Sequence, residues 1–277
     1  MQNNIEWLSE AWDCHTHIYG PWAQFPLPAD AAYRPAAAAP FSDLLALHAR
    51  LGIGHGVLVQ TAPYGTDHGA ILAALATSGG RYRGTGIIDT STTDSQLQAM
   101  HDGGIRGIRF NLMGHLPGLR DPATLRMLAE RVKHLNWHIL LHGQIQDLQP
   151  ALDRLDDCGV PLVIDHMARL DGSGALDEKA VSLLEQYLAR PHCWIKVSGV
   201  DRLMQGAPPP WDRALPLVKR LLHAAPDRAI WGTDWPHPNI QGDPPNEEKL
   251  LAFLIEACAD PVLLRAVLVD NPRRLYF

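Results

Sequence analysis

His15 and His17 stand at the end of a short apolar stretch, within Asp13-Cys14-His15-Thr16-His17. If the stretch is a strand, its side chains alternate faces and the two imidazoles turn the same way. Rings spaced like this can chelate a metal or grip one substrate oxygen. A His-x-His pair alone carries little weight, because most such rings are simply exposed or hydrogen-bonded. Its weight rises with the polar residues that close later apolar runs: Arg109 and Asn111, then His142, His166, Lys196 and Ser198 with Arg202 just beyond, and Asp234. Each ionisable group costs desolvation when buried, so a buried collection of them implies a use.

The runs that carry these residues recur with a regular rhythm. Strands are expected over 12–18, 55–61, 84–89, 105–111, 137–142, 161–166, 193–198 and 229–234. Near-continuous apolar runs of this length suit parallel strands covered on both faces. Amphipathic helices are expected between them, for example over 43–51, 67–77, 122–134, 148–158, 178–189 and 211–224. Ser42-Asp43 and Asp121-Pro122 are start signals. Strand then helix, eight times over, predicts an α/β fold, a (β/α)8 TIM barrel, as a single domain over 1–277. A doubly wound sheet is the alternative, but no Gly-x-Gly-x-x-Gly follows the first strand. In such a barrel the active site lies at the C-terminal ends of the strands, which is where the polar residues fall. The segment 19–40 follows strand one and is expected to lie over that mouth as a lid or rim. The Pro-rich stretches 207–210 and 236–245 are expected at the same mouth.

The bulk properties narrow the function classes. The chain of 277 residues can bury a sizeable core, and 46% apolar with 19% charged residues is ordinary for a globular protein. A net charge of −6 without a basic stripe argues against a nucleic-acid partner. Cys14, Cys158, Cys193 and Cys258 are scattered with no CxxC, which fits a reduced, cytoplasmic protein. No basic leader is visible, and no stretch approaches the roughly 20 apolar residues of a membrane span. The sequence is silent on oligomeric state.

Together, the stretches 13–20, 107–111, 163–167, 196–198, 231–238 and 270–276 resemble the amidohydrolase-2 group of the amidohydrolase superfamily, in the branch of pyrone-dicarboxylate and related lactonases. The combination of His15-Thr16-His17 with Gly232-Thr233-Asp234-Trp235-Pro236-His237, in this order and spacing, is what makes the resemblance specific. It runs from about residue 12 to the C-terminus and implies roles. Asp234 would activate the hydrolytic water. His15, His17 and His166 would polarise a lactone carbonyl, directly or through a metal. Arg109 and Arg202 would anchor a substrate carboxylate, with Tyr19, Tyr33, Asn111 and His115 as further substrate contacts. The chain departs from that branch where it has His142 in place of a tyrosine and lacks a second arginine near His115. His15, His17, His142, His166 and Asp234 would suit one divalent metal, zinc or manganese. Metal-free operation, with His142 bonding substrate, stands equally open.

The expected activity is therefore hydrolysis of a small lactone to a hydroxy acid by Asp-activated water; without the second arginine, a lactone with one carboxylate or a neutral sugar lactone recognised through hydroxyls is as much expected as a dicarboxylate. A metal-dependent decarboxylase of an unsaturated or aromatic carboxylic acid is the alternative enzyme, and a non-catalytic ligand-binding barrel is the alternative outside catalysis. Lys196 shares the parity of Ser198, but its long stem can carry the amine outward, so it is not counted with the site. His237 reads as a loop residue, and Tyr64 and His68 have only their position after strand two in their favour.

Overall fold

The computed structural model describes residues 5–114, 116, 118–240 and 242–277. Eight parallel strands follow one another in sequence order around a single sheet. They are β1 Trp12–Thr16, β2 His55–Val59, β3 Tyr82–Gly86, β4 Ile105–Asn111, β5 His138–His142, β6 Leu162–Ile164, β7 Cys193–Lys196 and β8 Ala229–Ile230. The sheet curls until β8 meets β1. There Cys14 N donates to Trp231 O at 2.8 Å, Asp234 N to His15 O at 2.8 Å and His17 N to Trp235 O at 2.7 Å. The molecule is the (β/α)8 barrel that the strand–helix rhythm implies.

Two features hold the closing seam. The Asp13 carboxylate is fully buried and accepts from His15 N at 3.1 Å, Thr233 N at 2.9 Å, Thr233 Oγ1 at 2.6 Å and His48 Nε2 at 3.3 Å. It ties both sides of the seam to the first helix, Phe41–Leu51. Gly232 supplies the second feature, since a Cβ there would lie 2.4 Å from His15 N. Gly232→Ala must push the strands apart, and we expect a loss of about 2–3 kcal/mol in equilibrium unfolding, the scale of a forced overpacking.

The surrounding helices form for local reasons. Ile145–Leu155 buries Ile145, Leu148, Ala151, Leu152 and Leu155, one stripe of a 3.6-residue period. Pro122–Val132 begins on an Asp121 side chain that accepts from Thr124 N at 2.9 Å, with Pro122 in the first turn. Asp94–Asp102 starts on a capping box between Thr93 and Gln96. The apolar faces of helices and strands make one core outside the barrel wall. A second, inner cluster includes Trp12, Val57, Val59, Leu140, Val163 and Ile230. These residues precede the polar ones along their strands, so the barrel is plugged by apolar side chains below a polar mouth.

Several boundaries differ from expectation. The third strand occupies Tyr82–Gly86 instead of 84–89, because Ile87 N turns to His68 Nε2 at 3.1 Å and Asp89 closes a turn on Ser91 and Thr92. The fifth helix lies three residues earlier than 148–158. Its chain closes with Cys158 N donating to Leu155 O and leaves through Gly159 at φ 72°. The sixth and eighth strands stop at Ile164 and Ile230, so Asp165, His166 and Asp234 sit beyond the regular ladder. The 19–40 segment is a loop pinched at its base by a two-way pairing of Tyr19 and Ala39, and Tyr33 reaches the mouth from it. The 207–210 stretch lies away from the mouth, where Pro209, Pro210 and Trp211 border a separate groove beside Phe253. No helix of the described residues is long and apolar enough to cross a membrane, and all four cysteines are buried and unpaired.

Candidate active site

At the C-terminal mouth a cavity of about 280 Å³ is lined by His17, Tyr33, Arg109, Asn111, His142, His166, Arg169, Arg202 and Asp234, among others. At its floor lies a buried knot of imidazoles and carboxylates. The register of β1 slips between Asp13 and Thr16. The alternation that sends Trp12 and Cys14 into the inner cluster is thereby interrupted, and both His15 and His17 reach the mouth. Their Nε2 atoms stand 3.2 Å apart. Asp234 Oδ1 lies 3.3 Å from His17 Nε2, 3.6 Å from His15 Nε2 and 4.0 Å from His166 Nε2. The other oxygen, Oδ2, accepts from Arg202 Nε at 2.7 Å, while Arg202 Nη2 donates to Pro238 O at 2.9 Å. Arg202 is thus a held partner of the aspartate and not a solvated loop residue.

The end of β6 is the strained part of the site. His166, Met167, Ala168 and Arg169 all have positive φ, between 47° and 53°. Left-handed backbone costs a non-glycine residue roughly 1–2 kcal/mol, and strain of this kind collects where geometry serves chemistry. The turn breaks strand alternation, so consecutive residues Asp165 and His166 both face the knot. Asp165 Oδ1 is 3.1 Å from His15 Nδ1 and 3.4 Å from Lys196 Nζ, and Oδ2 accepts from Arg109 Nη2 at 3.1 Å. Ser198 Oγ meets His166 Nδ1 at 2.8 Å. Arg169 emerges over the cavity with no hydrogen-bond or ion-pair partner among the described residues.

Lys196 corrects the sequence reading. Its side chain is fully buried, and Nζ donates to His15 Nδ1 at 3.0 Å. A lysine stem can reach water only from the outer face or the rim of a barrel, and Lys196 points into the wall-to-wall interior instead. Asp165 and Arg169 were not singled out in the sequence at all. Asp165 shares the parity of inward-facing Val163, so alternation already points it into the barrel, and it is His166 that the left-handed turn, which no glycine announces, brings to the same side. Tyr19 is likewise indirect: it is fully buried, does not line the cavity, and shares a 2.8 Å hydroxyl contact with Tyr33, which does. Tyr64 and His68 are structural, the first bonding Gly20 N and Phe25 O and the second accepting from Ile87 N. His237 bonds Glu247 at 3.3 Å in its loop. His115 lies outside the described residues.

Burial sets the charge states. It pushes His15 down to about 3 against the pull of Asp165, and it holds His142 and His166 well below the usual histidine range. Inside the barrel His138 is likewise pushed down to about 3. Burial alone would raise Asp234, but Arg202, with His166, outweighs it and holds the carboxyl well below its ordinary value. Asp165 is depressed in the same way, its desolvation outweighed by His15, His166 and Lys196. Burial lowers Lys196 despite Asp165. The four histidines take up protons on unfolding and not in the folded state. Stability should therefore fall as pH drops below the unfolded value near 6.5, by roughly 1.4 kcal/mol per pH unit per group. Thermal unfolding followed from pH 7.5 to 4.5 should show the melting point dropping from about pH 6.5; a level melting point down to pH 5 would contradict these states.

The donor chemistry fits a divalent cation. Among the described residues two overlapping groups bring their ligand atoms within 4.8 Å of one another: His15, His17 and Asp234, and His15, Asp165 and His166. His17 Nδ1 donates to Val59 O at 2.7 Å, so its Nε2 presents a lone pair toward Asp234 Oδ1. His15 Nε2 stands 3.2 Å from that nitrogen and 3.6 Å from Asp234 Oδ1; with its hydrogen it faces both acceptors, and without it three lone pairs converge, a set that a metal ion would satisfy. His142 belongs to neither group.

The comparisons agree with this architecture. The amidohydrolase family profile matches residues 12–277. A 2-pyrone-4,6-dicarboxylate hydrolase of Comamonas testosteroni is 34% identical over 274 residues, covering 96% of this chain and 89% of that protein. A 4-sulfomuconolactone hydrolase of Hydrogenophaga intermedia is 32% identical over 269 residues, covering 96% and 88%. A Pseudomonas putida structure, named as a candidate 2-pyrone-4,6-dicarboxylic acid hydrolase, superposes with a TM-score of 0.85 at 31% identity, covering 96% of this chain and 97% of that one. With the barrel, the paired histidines of β1 and the aspartate after β8 in place, the chain belongs to the amidohydrolase family.

Proposed function

We propose that the protein is a lactonase that opens a small, carboxylate-bearing lactone to a hydroxy acid. The observation that carries this reading is the buried Asp234 carboxylate, paired with Arg202 and facing three imidazoles at a cavity walled by Arg109, Arg169 and Arg202. Relatives that share about a third of its sequence are named for hydrolysis of a pyrone dicarboxylate and of a sulfomuconolactone, both anionic cyclic esters.

Asp234 has one oxygen committed to Arg202 and one free for water. Oδ1 takes a proton from that water as its oxygen attacks the lactone acyl carbon. The carbonyl oxygen gains negative charge as the tetrahedral centre forms. Collapse breaks the ring C–O bond, and the alkoxide recovers the proton from Asp234. The resulting acid group ionises. His166 lines the cavity beside Asp234 and is the imidazole placed to meet the carbonyl oxygen. His15 is fully buried outside that lining, where Lys196 donates to its Nδ1, which leaves Nε2 bearing the hydrogen and turned to Asp234 Oδ1 and His17 Nε2. Asp165 competes for the same Nδ1; when it accepts from Nδ1–H, Nε2 presents a lone pair instead, the state a metal ligand needs. His15, His17 and Asp234 are the residues that would hold one zinc or manganese ion, which would polarise the carbonyl as a Lewis acid. The guanidinium of Arg169, uncommitted to any carboxylate, is the natural first anchor for a substrate carboxylate, with Arg109 beside it.

The test is acid release by the purified protein from a panel of lactones, read with a pH indicator, with and without zinc or manganese. One equivalent of acid per turnover from carboxylate-bearing lactones, with neutral lactones slower, is expected. No acid from any lactone under either condition, or carbon dioxide released from an unsaturated acid instead, would overturn the reading.

A further inference from the structure

His142 closes β5 and is the histidine of the cavity wall that the mechanism leaves unused. It pairs across the sheet with Asn111 of β4, and its Nδ1 lies 3.2 Å from Asn111 Oδ1. An amide oxygen only accepts, so Nδ1 carries the ring hydrogen and Nε2 presents its lone pair. That Nε2 is buried and has no hydrogen-bond partner among the described residues. His142 also stands outside both clusters whose atoms could share a metal ion.

A buried acceptor without a partner is costly, and His142 lines the cavity, so a ligand donor that displaces the atoms now covering Nε2 would relieve that cost. The rest of that wall has the opposite demand. Arg109, Arg169 and Arg202 offer only donors, which suit carboxylate oxygens. A carboxylate placed against Nε2 would set lone pair against lone pair. On the lactonase reading, we infer that His142 selects a substrate hydroxyl: the preferred lactone carries a free carboxylate for the arginines and, elsewhere on its skeleton, an alcohol that donates to His142 Nε2. Asn111 is a positioning residue for this contact, because it sets which ring nitrogen is the acceptor.

The experiment compares a polyhydroxylated lactone with a free carboxylate, such as a monolactone of an aldaric acid, with analogues each lacking one hydroxyl. We expect one analogue to lose about 10- to 100-fold in kcat/KM, the effect of leaving a buried acceptor unpaired. In His142→Phe the ratio of parent to that analogue should fall toward one. In His142→Gln, which keeps an acceptor, part of the ratio should survive. Circular dichroism and a melting curve establish that both variants are folded, and if the Phe variant does not fold, the Gln variant and the wild-type ratios decide. The inference is overturned if every analogue stays within twofold of the parent, or if His142→Phe keeps the full discrimination. Fast turnover of hydroxyl-free lactone carboxylates only would overturn it while leaving the lactonase intact. Turnover of no lactone at all would overturn both.

Discussion

Asp234→Asn should lower kcat by about a thousandfold or more while the barrel stays folded. The amide cannot take a proton from water, and its NH2 would face donors or bound water where the carboxylate accepted. The fold should survive because Asp234 is not what holds the closing seam: Asp13 pins it, and the backbone bond from residue 234 N to His15 O does not depend on the side chain. Arg202 keeps its bond to Pro238 O. Steady-state rates on the best lactone of the panel, with circular dichroism of the variant, check this. An Asn variant within tenfold of wild type would remove Asp234 from the chemistry.

Lys196→Met should give the largest loss of stability among single changes at the site, and lose activity with it. Met has a similar stem, so packing changes little. What changes is charge: Asp165 keeps only Arg109 as a cationic partner, and His15 Nδ1 loses its donor. Breaking a buried ion pair by removing one partner costs about 3–5 kcal/mol. For a chain of this size that lowers the melting temperature by roughly 6–20 °C, at about 2–4 °C per kcal/mol. Since the free Asp165 carboxylate then takes Nδ1–H, His15 Nε2 should no longer donate, and kcat should drop more than KM changes. A Met variant with wild-type melting and wild-type kcat would show that Lys196 is a bystander.

The fold was readable because each strand of this barrel is an apolar run closed by a polar residue, and each helix a stripe on a 3.6-residue period. The residues His15, His17, Arg109, Asn111, His142, His166 and Asp234 were readable for the same reason: they end those runs, and the structure gathers them at one mouth. The left-handed turn at 166–169 hides the rest, because no glycine marks it. Counted back from His166, alternation turns Asp165 outward, whereas counted forward from Val163 it faces in, and the turn admits both and carries Arg169 to the cavity. Lys196 has the right parity, and only the general habits of lysine argue against it. Those habits hold at surfaces, and Asp165 supplies the buried countercharge that reverses them.

The central claim is water attack on a lactone acyl carbon, and a single turnover in water enriched in oxygen-18 tests it most directly. With enzyme in excess of the lactone that releases acid fastest, mass spectrometry of the product and its fragments locates the label. The account predicts one heavy oxygen, placed in the newly formed carboxylate, with the alcohol oxygen unlabelled. Label in the alcohol, or a ring-opened product with none, would contradict it.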